Sequence, residues 1–211
     1  MSPHSGFPVV VAAPSGTGKT TVCREVVARD GGIEFSVSHT TRPKRPAERD
    51  GVDYHFVTPE EFERLVAKGA FLEWAEYNGN LYGTSWAAID EPLRDGRDLL
   101  LEIEVQGARQ VRERRADARF IFLVPPTLAT LRQRLEQRGS DDSAGIAKRL
   151  AIARREIEEG AHFDYVVVND DLDTCVGDVL AILAAERSGD TARLRARHAP
   201  GPAFARLLAS A

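Results

Sequence analysis

Pro8-Val9-Val10-Val11-Ala12-Ala13-Pro14-Ser15-Gly16-Thr17-Gly18-Lys19-Thr20-Thr21 is the stretch that decides the fold. Residues 8–12 form a short apolar run rich in β-branched side chains, the composition of a buried strand. Small residues follow, then Gly-Lys-Thr, then a helix-like run over residues 22–29. Strand, small-residue loop, Gly-Lys-Thr and helix is the layout of a phosphate-binding loop. The small residues let backbone N–H groups turn inward around phosphate oxygens, and the helix start adds unpaired N–H groups and a positive dipole end. Lys19 reaches the outer phosphates as a point charge, and the Thr20 hydroxyl suits a magnesium ion. Ala13 stands where this motif usually has its first glycine. It precedes Pro14, so it is held extended, a conformation alanine adopts without strain. The loop announces a nucleoside triphosphate but no particular reaction.

The chain has 211 residues, enough for one domain with insertions. Its formal net charge of −4 provides no basic field for nucleic acid. Lysines supply only four of the 28 basic residues, so arginine clusters are read one at a time. Cys23 and Cys175 have no partner at metal or redox spacing and read as small core residues on helices. No run of 18 apolar residues and no signal-peptide pattern is seen, so the expectation is a cytoplasmic protein without membrane contact. Oligomeric state is not legible.

Outward from the loop, strand and helix patterns alternate. Residues 22–30 continue as a helix, stopped by Gly31-Gly32. Residues 33–38 read as a strand, 39–53 as a polar loop and 54–57 as a strand. Thr58-Pro59-Glu60-Glu61 opens a helix, with Thr58 as cap and Glu61 closing a capping box. Residues 71–77 and 81–84 form a hairpin around Asn78-Gly79-Asn80, and a helix follows from Ser85 to about Arg94. Residues 99–105 read as a central strand with Glu102 and Glu104 at its carboxyl end. A helix from Gln106, the apolar strand 120–124, a helix from Thr127 to Arg138, a loop over 139–145, a helix over 146–159, a strand at 165–168 and a last helix to about Arg187 complete the pattern.

The expected fold is α/β: a doubly wound parallel sheet with the phosphate loop, a small mixed α+β insertion and a helical lid. The core takes residues 1–33 and 96–187, with the lid at 134–150. The insertion takes 34–95, and 188–211 form a C-terminal tail. Ligands of such sheets bind beyond the carboxyl ends of the strands. Those ends carry residues 15–21, Glu102, Glu104, Pro125-Pro126 and Asn169-Asp170.

Several groups of residues carry chemistry. Arg42 and Arg45 lie three apart in a proline-bearing loop, where both guanidinium forks can meet one phosphate. Tyr54 and Tyr82 add neutral donors. Glu73 is a carboxylate between Leu72 and Trp74, costly in a strand unless paired. It suits the adjacent N1–H and N2–H donors of guanine, with Glu104 as a further acceptor and Ser38 as a donor to O6. Adenine reverses that pattern. Glu102 ends an apolar strand, where phosphate-loop enzymes place a carboxylate on the magnesium side. Arg134 and Arg138 share a helix face, and Arg149 lies beyond the loop, so the three could close over a triphosphate.

Together these residues resemble the guanylate kinase family. The likeness is carried by residues 13–20, Ser36-Val37-Ser38-His39-Thr40-Thr41-Arg42-Pro43-Lys44-Arg45 and Gly51-Val52-Asp53-Tyr54-His55-Phe56-Val57. It continues in Phe71-Leu72-Glu73-Trp74-Ala75, Gly79-Asn80-Leu81-Tyr82-Gly83-Thr84, Glu102-Ile103-Glu104-Val105-Gln106-Gly107, residues 134–139 and Val168-Asn169-Asp170-Asp171. The resemblance implies transfer of a phosphoryl group from ATP to GMP, with dGMP as a second acceptor and Mg2+ as cofactor. It implies that Ala13, Pro14, Ser15, Gly16, Thr17, Gly18, Lys19, Thr20 and Thr21 bind ATP, with Asn169 near adenine. Ser38, Glu73 and Glu104 would hold guanine. Arg42, Arg45, Tyr54 and Tyr82 would hold the GMP phosphate beside Gly83 and Thr84. Lys19, Arg42, Arg134, Arg138 and Arg149 would act on the phosphates, and Thr20 and Glu102 would serve the metal. The family often has aspartate where Glu102 and Glu104 stand, and serine where Thr84 stands.

Two other classes fit parts of the pattern. A phosphopeptide-binding module could use the Arg42–Tyr82 cluster alone, but intact Lys19 and Thr20 argue against it. A kinase for another phosphorylated acceptor is disfavoured by the pairing of Glu73 with Ser38.

Overall fold

The computed structural model describes residues 6–137, 143–201, 204 and 207. Most of the loop expected at 139–145 lies outside them. The opening strand β1 (Pro8–Ala12) is buried along its whole length, as its β-branched composition requires. It is the middle strand of a five-stranded sheet of order β2-β7-β1-β8-β9, and a second sheet has four strands in the order β4-β3-β6-β5. The chain divides into two compact units, one joining residues through Val10 to Gly31–Arg119, the other joining Val11–Asp30 to residues from Phe120 onward.

In the first unit, β2 (Ile33–Phe35) runs parallel to β7 (Asp98–Glu102), with Ile33 opposite Asp98. Asp98 is fully buried, and its carboxylate accepts the Phe7 N–H at 3.1 Å, which answers the cost of burying it. The four-stranded sheet contains β3 (His39–Thr40), β4 (His55–Phe56), β5 (Phe71–Tyr77) and β6 (Asn80–Ser85). Here β3 and β4 pair in parallel, while β6 is antiparallel to both β3 and β5. Helix α2 (Pro59–Ala67) covers one face; its Phe62 stacks on Phe71 at 4.6 Å and meets Trp74 edge-on. Then come α3 (Ala87–Arg94) and, after β7, α4 (Val105–Arg114), which packs along β5.

Several local expectations change, and the strand expected at 33–38 ends at Phe35. Thr58 does cap α2, accepting the Glu61 N–H, but the Glu61 carboxylate takes Arg64 instead of closing a box. The strand expected at 99–105 stops at Glu102, and Glu104 becomes the extended cap residue of α4. Ser85 ends β6, so the next helix starts two residues later. The loop expected at 39–53 contains β3, a strand of two residues, too short to show alternation.

The second unit holds α1 (Lys19–Arg29), which begins at the lysine of the loop, three residues before the apolar periodicity shows it. Gly18 caps it in the left-handed region, at φ 96°. Strand β8 (Arg119–Val124) runs parallel to β9 (Tyr165–Val168). Between them lie α5 (Leu128–Gln137) and α6 (Ser143–Glu159). The long α7 (Leu172–Ser188) starts from Asp171, whose carboxylate accepts the Thr174 N–H at 2.9 Å. It packs on α1, joined by Arg29–Asp173 and Arg187–Asp30 pairs, both at 2.6 Å. Cys23 and Cys175 are buried free thiols on these helices, and burial pushes the Cys175 thiol up to about 12. Among the described residues no helix is long and apolar enough to cross a membrane.

Described residues of the tail pack beside β9. Beyond α8 (Ala192–Arg197), the His198 carbonyl accepts the Val166 N–H at 2.8 Å, pairing an edge that would otherwise face solvent. Leu194, Phe204 and Leu207 are buried, and Arg195 and the Tyr165 hydroxyl both bond Glu186. A chain ending at Ser188 loses these three anchors, each worth about 1.5–3 kcal/mol when fully buried. Its melting temperature is expected to fall by at least ~5 °C, and an unchanged thermal transition would show that the tail carries no stability.

Candidate functional site

The residues singled out by sequence fall into two groups, one in each unit. In the second unit the loop between β1 and α1 is braced from behind. Asn169, just past β9, is buried; its side-chain amide donates to the Thr17 carbonyl at 2.7 Å. Arg134 on α5 donates to the same carbonyl at 3.2 Å and to the Asn169 carbonyl at 3.0 Å. Leu131 and Leu135 of α5 pack where a side chain on Gly16 would project. The Thr17 N–H closes a turn on the Pro14 carbonyl at 3.1 Å, and the loop leads into the start of α1, the end of a helix that favours an anion. Lys19 and Thr20 open that helix, with Thr20 and Thr21 exposed. Arg149 sits half-buried on α6. Arg138 lies outside the described residues.

In the first unit the sheet divides its residues between two faces. His39, Phe71 and Ser85 line a cavity of about 450 Å³ on the α2 side, where burial lowers the His39 imidazole from its ordinary range. The other face carries the candidate residues. Ser38 and Thr84 share a hydroxyl–hydroxyl bond at 3.1 Å, and Thr84 stands opposite Glu73 in the β5–β6 register. Glu73 is only 3% exposed, and its carboxylate lies against Gly107 in the first turn of α4. Glu104 caps that helix, two residues after Glu102 ends β7. Ser38, Thr84 and Glu73 therefore form one polar group, built from two strands and the loop before β3.

The arginine–tyrosine residues also come together, around a residue that sequence reading missed. Glu48 takes a two-pronged bond from Arg42, at 2.7 and 3.1 Å, and accepts the Arg45 N–H at 2.8 Å. The Arg42 guanidinium lies over the Tyr54 ring at 5.5 Å and the Phe56 ring at 5.8 Å. Tyr54 meets Tyr82 edge-on at 6.1 Å. The Arg45 side chain points outward and is 72% exposed. The bond to Glu48 raises Arg42 above its ordinary value. The bond from Arg42, helped by the Arg45 N–H, holds Glu48 below the usual carboxylate range. A carboxylate thus occupies the fork that suits a phosphate. The signal was present: an acidic residue six places after one arginine and three after another.

Comparison with known proteins agrees across nearly the whole chain. The family model described as Guanylate kinase matches residues 5–186. The guanylate kinase of Symbiobacterium thermophilum is 50% identical over 183 residues, 87% of each chain. That of Vibrio parahaemolyticus is 52% identical over 180 residues, 84% of this chain and 87% of the other. A crystal structure of guanylate kinase from Anaplasma phagocytophilum superposes with a TM-score of 0.72 at 33% identity, covering 87% of each chain.

The depressed Glu48 carboxylate makes the pair's contribution depend on pH. Its folded-state value lies below the unfolded one, so the stabilisation is fully present above about pH 4.5 and is lost as pH falls through the folded value. Glu48→Gln is expected to cost about 1 kcal/mol at neutral pH. The gap to the unaltered chain should close on acidification, followed by urea unfolding from pH 7 to 3. A gap that stayed constant over that range would separate Glu48 from the effect.

Proposed function

This chain belongs to the guanylate kinase family and phosphorylates GMP with ATP, and we propose how its own residues divide that work. The observation that carries the assignment of roles is the acceptor face of the four-stranded sheet. A two-arginine, two-tyrosine cluster and a buried carboxylate stand on one small scaffold, matching a nucleotide with a phosphate at one end and a purine at the other. The insertion at 34–95 is then the acceptor domain, the remainder to residue 187 the core, and 134–150 the lid.

The loop over residues 13–21 holds the ATP phosphates with its N–H groups, and Lys19 neutralises the outer ones. Asn169 and Arg134 brace that loop through Thr17, and Arg134, Arg138 and Arg149 supply positive charge around the transferred group. On the acceptor side, Arg42, Arg45, Tyr54 and Tyr82 take the GMP phosphate, with Gly83 and Thr84 beside them. Glu48 yields its place on Arg42 or turns to share it. Glu73 accepts from guanine N1–H and N2–H, Ser38 donates to O6, and Glu104 offers a second acceptor. dGMP keeps all these contacts and is a second acceptor.

An oxygen of the GMP phosphate attacks the γ-phosphorus in line, while the bond from that phosphorus to the bridging oxygen breaks. ADP leaves with the electron pair and GDP is formed. No side chain needs to become covalently attached, so catalysis is positioning and charge neutralisation. The donor set suits Mg2+. Thr20 offers a hydroxyl and Glu102 a carboxylate, both hard oxygens, and this ion is usually held by one or two such groups with substrate phosphates and water. When bound with ATP, the ion would neutralise phosphate charge.

Two substitutions test the division of roles. Lys19→Ala is expected to lower kcat by about 10²–10³-fold with little change in GMP affinity. Glu73→Gln is expected to raise KM for GMP at least ~10-fold and leave KM for ATP within about two-fold. Equal losses for both nucleotides in steady-state kinetics would remove Glu73 from the base site.

A further inference from the structure

We propose that Gly107 is a positioning residue for guanine recognition: the absence of its side chain is what seats the Glu73 carboxylate. The inference rests on the reading of Glu73 as the group that contacts guanine. A Cβ built on Gly107 would stand 2.2 Å from Glu73 Oε2 and 3.0 Å from Glu73 Cδ. No carbon tolerates that approach, so any other residue at 107 displaces the carboxylate. The seat is chemically apt as well as close. Gly107 lies in the first turn of α4, where helix N–H groups and the dipole favour an anion. A carboxylate only 3% exposed needs such surroundings to stay charged and accepting.

The rest of α4 shows that this contact belongs to a designed alignment. Gln110 and Arg114 follow Gly107 on the same helix face, three and seven residues on. Gln110 bonds both backbone groups of Trp74, accepting its N–H at 3.3 Å and donating to its carbonyl at 2.6 Å. Arg114 donates to the carbonyls of Phe71 and Leu72, the latter at 2.5 Å. Both clamps grip β5, the last strand of its sheet, on either side of Glu73. The β5–β6 register also slips between Phe71 and Glu73, so that two residues of β5 oppose one step of β6. That bulge puts Phe71 on the α2 face with Phe62 and turns Glu73 to the α4 face, although the two are separated by a single residue. Bulge, clamps and missing side chain together fix one carboxylate.

The clash falls on the far end of a flexible side chain, so Gly107→Ala can fold by moving Glu73 alone. Alanine is also the better helix former, which favours a folded variant. The test is kcat/KM for GMP and for IMP, the purine monophosphate that lacks the 2-amino group, in four proteins: the unaltered chain, Gly107→Ala, Glu73→Gln and the double variant. Gly107→Ala is expected to reduce the GMP-to-IMP ratio by about 10-fold or more, with KM for ATP and the melting temperature little changed. In the Glu73→Gln background the same substitution is expected to have no further effect on the ratio, because Gly107 acts only through that carboxylate. A ratio unchanged in Gly107→Ala while it collapses in Glu73→Gln overturns the proposal and leaves the base contact standing. A ratio insensitive to Glu73→Gln overturns the base contact itself, and the proposal with it. A full further loss in the double variant shows Gly107 acting by another route and also overturns it.

Discussion

A charge or polar group held still away from water must be answered by something in the fold before any ligand arrives, and this chain meets that demand at three places among its candidate residues. Arg42 is answered by Glu48, Glu73 by the first turn of α4, and the loop carbonyl of Thr17 by Asn169 and Arg134. A side chain already held by a partner has less freedom left to lose when a ligand arrives. Phosphoryl transfer profits from that, since the reaction asks little of the protein beyond fixed geometry and fixed charge.

The two groups of candidate residues are built differently. The small-residue loop before α1 is a backbone structure, and loops of this kind meet phosphate with N–H groups that any small residues would present. Its shape therefore depends on what holds the carbonyls and on the left-handed glycine that starts α1. The other group is made of side chains on the four-stranded sheet, where alternation sends one set of residues to the helix-covered face and the other set to the opposite face. The bulge in β5 breaks that alternation between Phe71 and Glu73.

Much of this was readable before any coordinates. The phosphate loop, the hairpin at Asn78-Gly79, the Thr58 cap and the run of parallel strands all have local causes, and local causes leave marks a few residues apart. Elements without such marks were misread. Strand β3 has two residues and exists only because β4 and β6 flank it. The start of α1 was hidden because its first turn, Lys19-Thr20-Thr21, is polar and shows no apolar periodicity. Glu48 was passed over because its meaning lies in the fold of its loop, which brings one carboxylate to two arginines at once.

The sequence by itself determined the class of chemistry: a Gly-Lys-Thr loop after a buried strand and, with it, a chain-long resemblance to one kinase family. The motifs that carry both are residue types at short spacing. Only the tertiary structure decided what makes the sites usable. That Glu73 rests on Gly107, 34 positions later in the chain, and that Asn169 props Thr17, 152 positions earlier, follows from packing between distant segments. A glycine prints no signal for the atom it leaves room for, and a carbonyl none for the amide that reaches it.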